Sequence, residues 1–107
     1  IAVDGVKLAI ATRSEVVTLI NTPSLASTFP KQPNTYDALY LPRSAYFTGE
    51  LDIHDLAFTR TGLIGVNTRF SCIARITEAY SFEPIWKPDF ITSMRPTDQC
   101  HLNGMAL

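Results

Sequence analysis

Leu56-Ala57-Phe58-Thr59-Arg60-Thr61-Gly62-Leu63-Ile64-Gly65-Val66-Asn67-Thr68-Arg69-Phe70-Ser71-Cys72-Ile73 is the stretch that decides the fold. A first apolar run ends at a short polar turn with glycine, Arg60-Thr61-Gly62. A second run ends at another polar turn, Arg69-Phe70-Ser71, and a third follows over Cys72–Ile76. Apolar runs of this length, punctuated by turn residues, read as successive antiparallel strands.

The opening phrase of that stretch, large apolar, Ala, large apolar, occurs twice more. Ile1-Ala2-Val3 leads into Asp4-Gly5, and Met105-Ala106-Leu107 closes the chain. Counting from the first residue of each phrase, the intervals are 55 and 49 residues. A second element keeps similar step: Thr12-Arg13 is followed by Val16-Val17, and Thr68-Arg69, 56 residues on, by Cys72-Ile73. A drifting period near fifty residues in strand-like sequence predicts stacked β-sheet modules, β-propeller blades above all. The expected fold is therefore all-β: a fragment of a β-propeller with about two four-stranded antiparallel blades. Residues 1–52 are read as a partial blade with a Pro-rich loop, 53–100 as one blade, and 101–107 as the first strand of the next. Two blades do not close a ring, so the partners expected first are the remaining blades of the same, longer chain. The isolated segment is expected to expose unpaired strand edges and to be marginally stable or aggregate.

Around this frame, Lys7–Thr12 and Val16–Ile20 predict a hairpin across Arg13-Ser14-Glu15, and Ile53–Phe58 with Leu63–Thr68 predict a second. Tyr80-Ser81-Phe82 is a candidate fourth strand ended by Pro84. Ala38–Leu41 and Ala45–Thr48 are short strand candidates split by Pro42-Arg43. Thr22–Asp37, with Pro23, Pro30 and Pro33, and Pro88–Gln99, with Pro88 and Pro96, read as long loops. No segment carries a helical apolar stripe with a cap.

Composition narrows the functional classes. A hydrophobic content of 46% supports a core, and 18% charged residues suits sheets covered on both faces. The net charge of −1 gives no basic excess, which argues against a nucleic-acid partner. No run of about 18 uncharged apolar residues is present, which argues against a membrane-spanning helix. Two cysteines, Cys72 and Cys100, make no disulfide framework, and a reduced, cytoplasmic chain is expected. Phosphate-binding glycine loops, nucleophile elbows and paired carboxylates at catalytic spacing are absent, so no catalytic residue is assigned.

The segment Leu51–Ile73, with Leu-Pro-Arg-Ser-Ala-Tyr-Phe-Thr-Gly upstream at 41–49 and Cys-His-Leu-Asn-Gly-Met-Ala downstream at 100–106, resembles an uncharacterised bacterial family of conserved hypothetical proteins, a domain of unknown function. The resemblance runs through roughly residues 38–107 and implies a propeller-like fold within a larger protein. It implies no established activity. A wider likeness, to six-bladed propellers of the strictosidine-synthase, gluconolactonase and NHL-repeat kind, rests on the same apolar-Ala-apolar phrase and glycine turn. It carries no chemistry, because such folds host enzymes and passive binders alike.

His54-Asp55 precede one phrase and Asn103-Gly104 hold the equivalent place before the next, with Cys100-His101 just upstream. Starts of inner strands sit at the mouth of a propeller channel, where polar groups from several blades converge. His54, Asp55, His101 and Asn103 are therefore the candidate ligand-binding residues, for a small molecule or a protein partner. The competing reading is that they hydrogen-bond to one another and to backbone and lock neighbouring blades. The leading function is a binding scaffold with no cofactor. The alternative is a metal-dependent hydrolase or lactonase, with a divalent ion in the funnel. A thiol zinc site from Cys72, Cys100, His101 and His54 lacks any Cys-x-x-Cys or His-x-x-x-His pair, and Cys72 aligns with an apolar Val16. Arg13 and Arg69 recur, which predicts a scaffold role such as pairing with a neighbouring carboxylate. Asn67 is read as a turn residue capping backbone, and Trp86, Tyr80 and Phe82 as packing aromatics.

Overall fold

A computed structural model describes residues Ile1–Leu107. The strands are β1 (Ala2–Asp4), β2 (Lys7–Ala11), β3 (Glu15–Asn21), β4 (Tyr40–Phe47), β5 (Ile53–Thr59), β6 (Gly62–Asn67), β7 (Cys72–Arg75) and β8 (Glu83–Trp86). A single-turn helix, α1 (Pro23–Ser27), lies between β3 and β4. The strands form two four-stranded sheets of the same simple order, β1-β2-β3-β4 and β5-β6-β7-β8, every pair antiparallel. The first sheet, expected to be incomplete within residues 1–52, thus has all four strands. No helix is long and apolar enough to cross a membrane.

The turns follow from local chemistry. Asp4 pairs with Lys7, leaving a two-residue loop whose first residue, Gly5, has φ of 59°. A Cβ there would be strained, and glycine removes that cost. At the β5–β6 turn the Thr59 hydroxyl donates to the Gly62 carbonyl at 2.7 Å. At the β6–β7 turn Asn67 Oδ1 accepts from the Phe70 amide at 3.1 Å, closing the turn over backbone. This is the backbone-capping role expected for Asn67.

The sheets pack face to face, with β1 and β2 against β5. Ala2, Ala9 and Val16 on the first sheet meet Leu56, Leu63 and Ile76 on the second, flanked by Ala11, Tyr46, Ile53 and Phe58. Small side chains on one sheet let the larger ones of the other interdigitate. Each fully buried Leu or Ile contributes about 1.5–3 kcal/mol. The aligned pair Val16 and Cys72 are both fully buried, and burial pushes the Cys72 thiol pKa up to about 11. Gly65, opposite Leu56 in the ladder, is a point of close approach: a Cβ there would stand 3.1 Å from Leu56 Cδ2 and 3.3 Å from the Asp55 carbonyl oxygen.

Four expectations are corrected. Residues 40–47 form one strand and not two, because Arg43 bulges out between the pairs Thr18–Ser44 and Leu19–Pro42. The missing proline donor is tolerated on an edge strand at a bulge. The outer strand of the second sheet lies at Glu83–Trp86 and includes Pro84, again on an edge, and Tyr80-Ser81-Phe82 is outside it. Within the loop read as Thr22–Asp37, Pro23 opens the helix α1, a position where its fixed φ and missing N–H are no handicap. A single turn has no stripe to read. Finally, residues 101–107 form no strand. Their contacts are isolated bonds to β5 side chains and to the β6–β7 turn, not a backbone ladder.

Candidate functional site

The end of the sheet pair where β5 begins gathers most of the polar side chains singled out above. Asp52, with φ of 54°, stands just before β5 in the left-handed region, and a register shift between Ile53 and Asp55 follows it. The irregularity alters the alternation of side chains at His54 and Asp55. His54 Nδ1 lies 2.8 Å from Asn103 Oδ1, and its Nε2 lies 3.3 Å from Asp52 Oδ2. Both partners are acceptors, so the imidazolium, which donates from both nitrogens, suits the site best. The Asn103 hydrogen bond accordingly raises the His54 pKa, with desolvation opposing it and Asp52 reinforcing it.

Asp55 binds backbone on two sides. Its Oδ1 accepts from the Leu56 amide at 3.0 Å and its Oδ2 from the Met105 amide at 3.3 Å. His101 packs edge-on against His54, with ring centroids 5.0 Å apart, and its Nδ1 is 2.8 Å from Asp98 Oδ2. That contact lowers the Asp98 pKa, His101 being the main cause. The Thr68 hydroxyl donates to the Leu102 carbonyl, the Asp98 amide to the Arg69 carbonyl, and the Gln99 amide to the Ser71 hydroxyl. The segment 98–105 is thereby fixed to β5 and to the β6–β7 turn.

A second cluster adjoins the first through Asp52. Arg13 Nε is 2.9 Å from Glu50 Oε1, and an Arg69 terminal nitrogen is 3.6 Å from Glu50 Oε2. A cleft of about 520 Å³ opens there, lined by Ala11, Thr12, Arg13, Glu50, Asp52, Ile53 and Arg69. The pairing of both arginines with a neighbouring carboxylate matches the scaffold role expected of them.

All four candidate residues, His54, Asp55, His101 and Asn103, thus meet at one place. Asp52, Asp98 and Glu50 belong with them and carried weak signals. Asp98 sits three residues before His101, and Glu50 and Asp52 flank Leu51 just ahead of β5 with no motif around them. The aromatic trio does not assemble. Phe82 packs against Phe70 with tilted rings, centroids 4.7 Å apart, Tyr80 lines a cleft with Tyr46 and Phe47, and Trp86 lies beside Leu102 and Met105. Asn67 is buried, and its Nδ2 has no partner. Cys72 and Cys100 are both free thiols. No three His, Cys, Asp or Glu side chains form a group that could hold a metal ion. His54 has already committed both ring nitrogens to Asn103 and Asp52.

A family model described as "Domain of unknown function (DUF4915)" matches residues 1–107. The chain belongs to this family. As a DUF4915 domain it is all-β, two four-stranded antiparallel sheets with a single helical turn. No curated protein and no solved structure matches the chain.

Proposed function

We propose that this DUF4915 chain supplies two blades of a β-propeller that acts as a binding scaffold, with a small polar ligand held at the end of the sheet pair where β5 begins. Two features support the blade reading. The sheets share one strand order, and their first strands, β1 and β5, lie against each other, as inner strands do around a common axis. The observation that carries the binding reading is the convergence of His54, Asp55, His101 and Asn103, from segments about fifty residues apart, beside the cleft of about 520 Å³ that Asp52 shares with Arg13 and Arg69. His101 is open to a ligand, its side chain 63% exposed, and His54 and Asn103, also exposed, are held to each other beside it.

The test is a thermal-shift screen of polar small molecules (sugars, amines, hydroxy acids) on the full-length protein, repeated on His101→Ala and His54→Ala. Hits that vanish in His101→Ala, with its melting temperature unchanged, are the expected result. Hits preserved in both variants, with a large stability loss in His54→Ala, would reduce the cluster to a lock between β5 and the following segment.

A further inference from the structure

The two sheets stack in the same sense. Ala2 and Ala9 of the first sheet face the second, and Leu56, Phe58 and Leu63 of the second face the first. At an offset of 55 residues, Ala2, Val3, Leu8 and Ala9 match Ala57, Phe58, Leu63 and Ile64. Ala57, between Leu56 and Phe58, is turned away from the first sheet by strand alternation. Ile64, next to Leu63, is buried but stands outside the core between the sheets. Ala2 and Ala9 thus look forward to the next sheet, and their counterparts Ala57 and Ile64 look forward again. By the same alternation Val3 and Leu8 lie on the rear face of the first sheet, in the places that Phe58 and Leu63 hold on the second.

That rear face is apolar and bare. Cross-strand pairing builds it in two rows, Val3 with Leu8 and Leu19, and Ile10 with Val17 and Ala45. None of the six is charged, and Glu15, opposite Phe47, stands at one rim. No helix or strand packs on the face: outside their own ladder, β1 and β2 meet only β5, which lies in front of them, and β3 and β4 meet no other element. Val3 is 64% exposed. The forward face of the second sheet is different, because its own chain covers it. There Val66 is fully buried, and Leu102 and Met105 lie beside Ile73, the partner of Val66 in the ladder. A contiguous apolar face left bare on one side of the stack marks an interaction surface.

We propose that a further four-stranded sheet of the same protein covers this face and brings small side chains to it. The stacking already made is the template. Phe58 and Leu63 are covered by Ala2, Ala9 and Val16, and Val3 and Leu8 hold their places one sheet earlier. Large side chains on one layer interdigitate with small ones on the facing layer, so the covering face is Ala- and Val-rich like that of Ala2, Ala9 and Val16. The inference rests on the blade reading above, and adds which face the neighbouring blade takes and what it presents there.

The experiment is thiol labelling of the full-length protein, read peptide by peptide, in Val3→Cys and Val17→Cys, with Tyr36→Cys in the exposed loop before β4 as reference. Val3→Cys and Val17→Cys should each react at least about a hundredfold more slowly than Tyr36→Cys, because labelling then waits for the covering sheet to open. The protection should persist on dilution of a monomer. Val3→Cys serves if Val17→Cys fails to fold. Reaction of Val3→Cys at the rate of Tyr36→Cys would overturn the proposal. Protection that vanishes on dilution would also overturn it, since the cover would be a second copy. Small-angle scattering of the same sample reads the blade arrangement separately. A disc-shaped particle with a reactive Val3→Cys is an open stack of blades and overturns this inference alone. An elongated particle, whatever the labelling, removes the blade reading and this inference with it.

Discussion

Arg13 and Arg69 hold equivalent places after the second strand of each sheet, and both reach the carboxylate of Glu50, one at each oxygen. The shared anion ties the β2–β3 turn to the β6–β7 turn and so clamps the two sheets at one end. Arg13 is 85% exposed on its side chain, so the clamp is screened by water and salt and is modest in energy. Its main effect is on registry, since one carboxylate satisfies two guanidinium groups only when the sheets sit in this relation.

Glu50→Gln is therefore expected to lower stability by no more than about 1 kcal/mol. The difference from wild type should shrink as salt rises toward molar concentration. Urea unfolding at low and high salt checks both statements. A loss of several kcal/mol that persists in high salt would mean that Glu50 has a buried role it does not have here.

Gly65→Ala should destabilise the core by about 1–3 kcal/mol, because the new methyl meets both Leu56 Cδ2 and the Asp55 carbonyl. Leu56→Ala alone should cost about 2–5 kcal/mol. The double variant should lose less than the sum, since truncating Leu56 frees one of the two contacts and leaves the backbone one. Additive losses in a double-mutant cycle would contradict the close approach at this point of the β5–β6 ladder.

The His54 contacts predict a pH dependence with a definite sign. Asn103 and Asp52 favour the protonated ring, so the folded-state pKa lies above the unfolded value near 6.5. The stability they contribute is complete below that value and is lost as pH rises through the higher folded pKa. Asp98 works in the opposite direction. Its lowered pKa gives stability that is present above the ordinary value of 3.8 and is lost as pH falls through the folded one. Denaturation midpoints followed from pH 5 to 9 should decline across the neutral region in wild type, and the decline should flatten in His54→Gln. An unchanged slope in that variant would exclude His54 as the titrating group.

Thiol labelling separates the two cysteines. Cys72 is fully buried with its pKa pushed up to about 11, so it has almost no thiolate at neutral pH. Cys100 is partly exposed. In native protein one thiol should react with a disulfide reagent promptly and the other only on unfolding, with Cys100→Ser abolishing the fast phase. Two fast thiols would show that the second sheet opens readily around β7.

Much of the secondary structure was legible because it rests on local chemistry. The Asp4-Gly5 and Arg60-Thr61-Gly62 turns need the residues they have. The apolar runs between them have strand length and strand composition, and the first two apolar-Ala-apolar phrases fall in the first strands of the two sheets, while the third forms no strand. Two of the errors fell on edge strands. Pro42 and Pro84 break a central strand but not an outer one, and whether a strand is outer is a property of the sheet.

The sequence by itself determined the all-β class, the strand-turn rhythm, the burial of Val16 and Cys72, and the short set His54, Asp55, His101 and Asn103. These follow from side-chain size, turn chemistry and register, all of which act within a few residues or repeat along the chain. Only the tertiary structure decided which acids join that set, that Arg13 and Arg69 share Glu50, and that Arg43 bulges out of β4. Each of these depends on where two distant segments come to lie and on a one-residue bulge, and a bulge reverses the facing of a strand without leaving a distinctive residue to announce it.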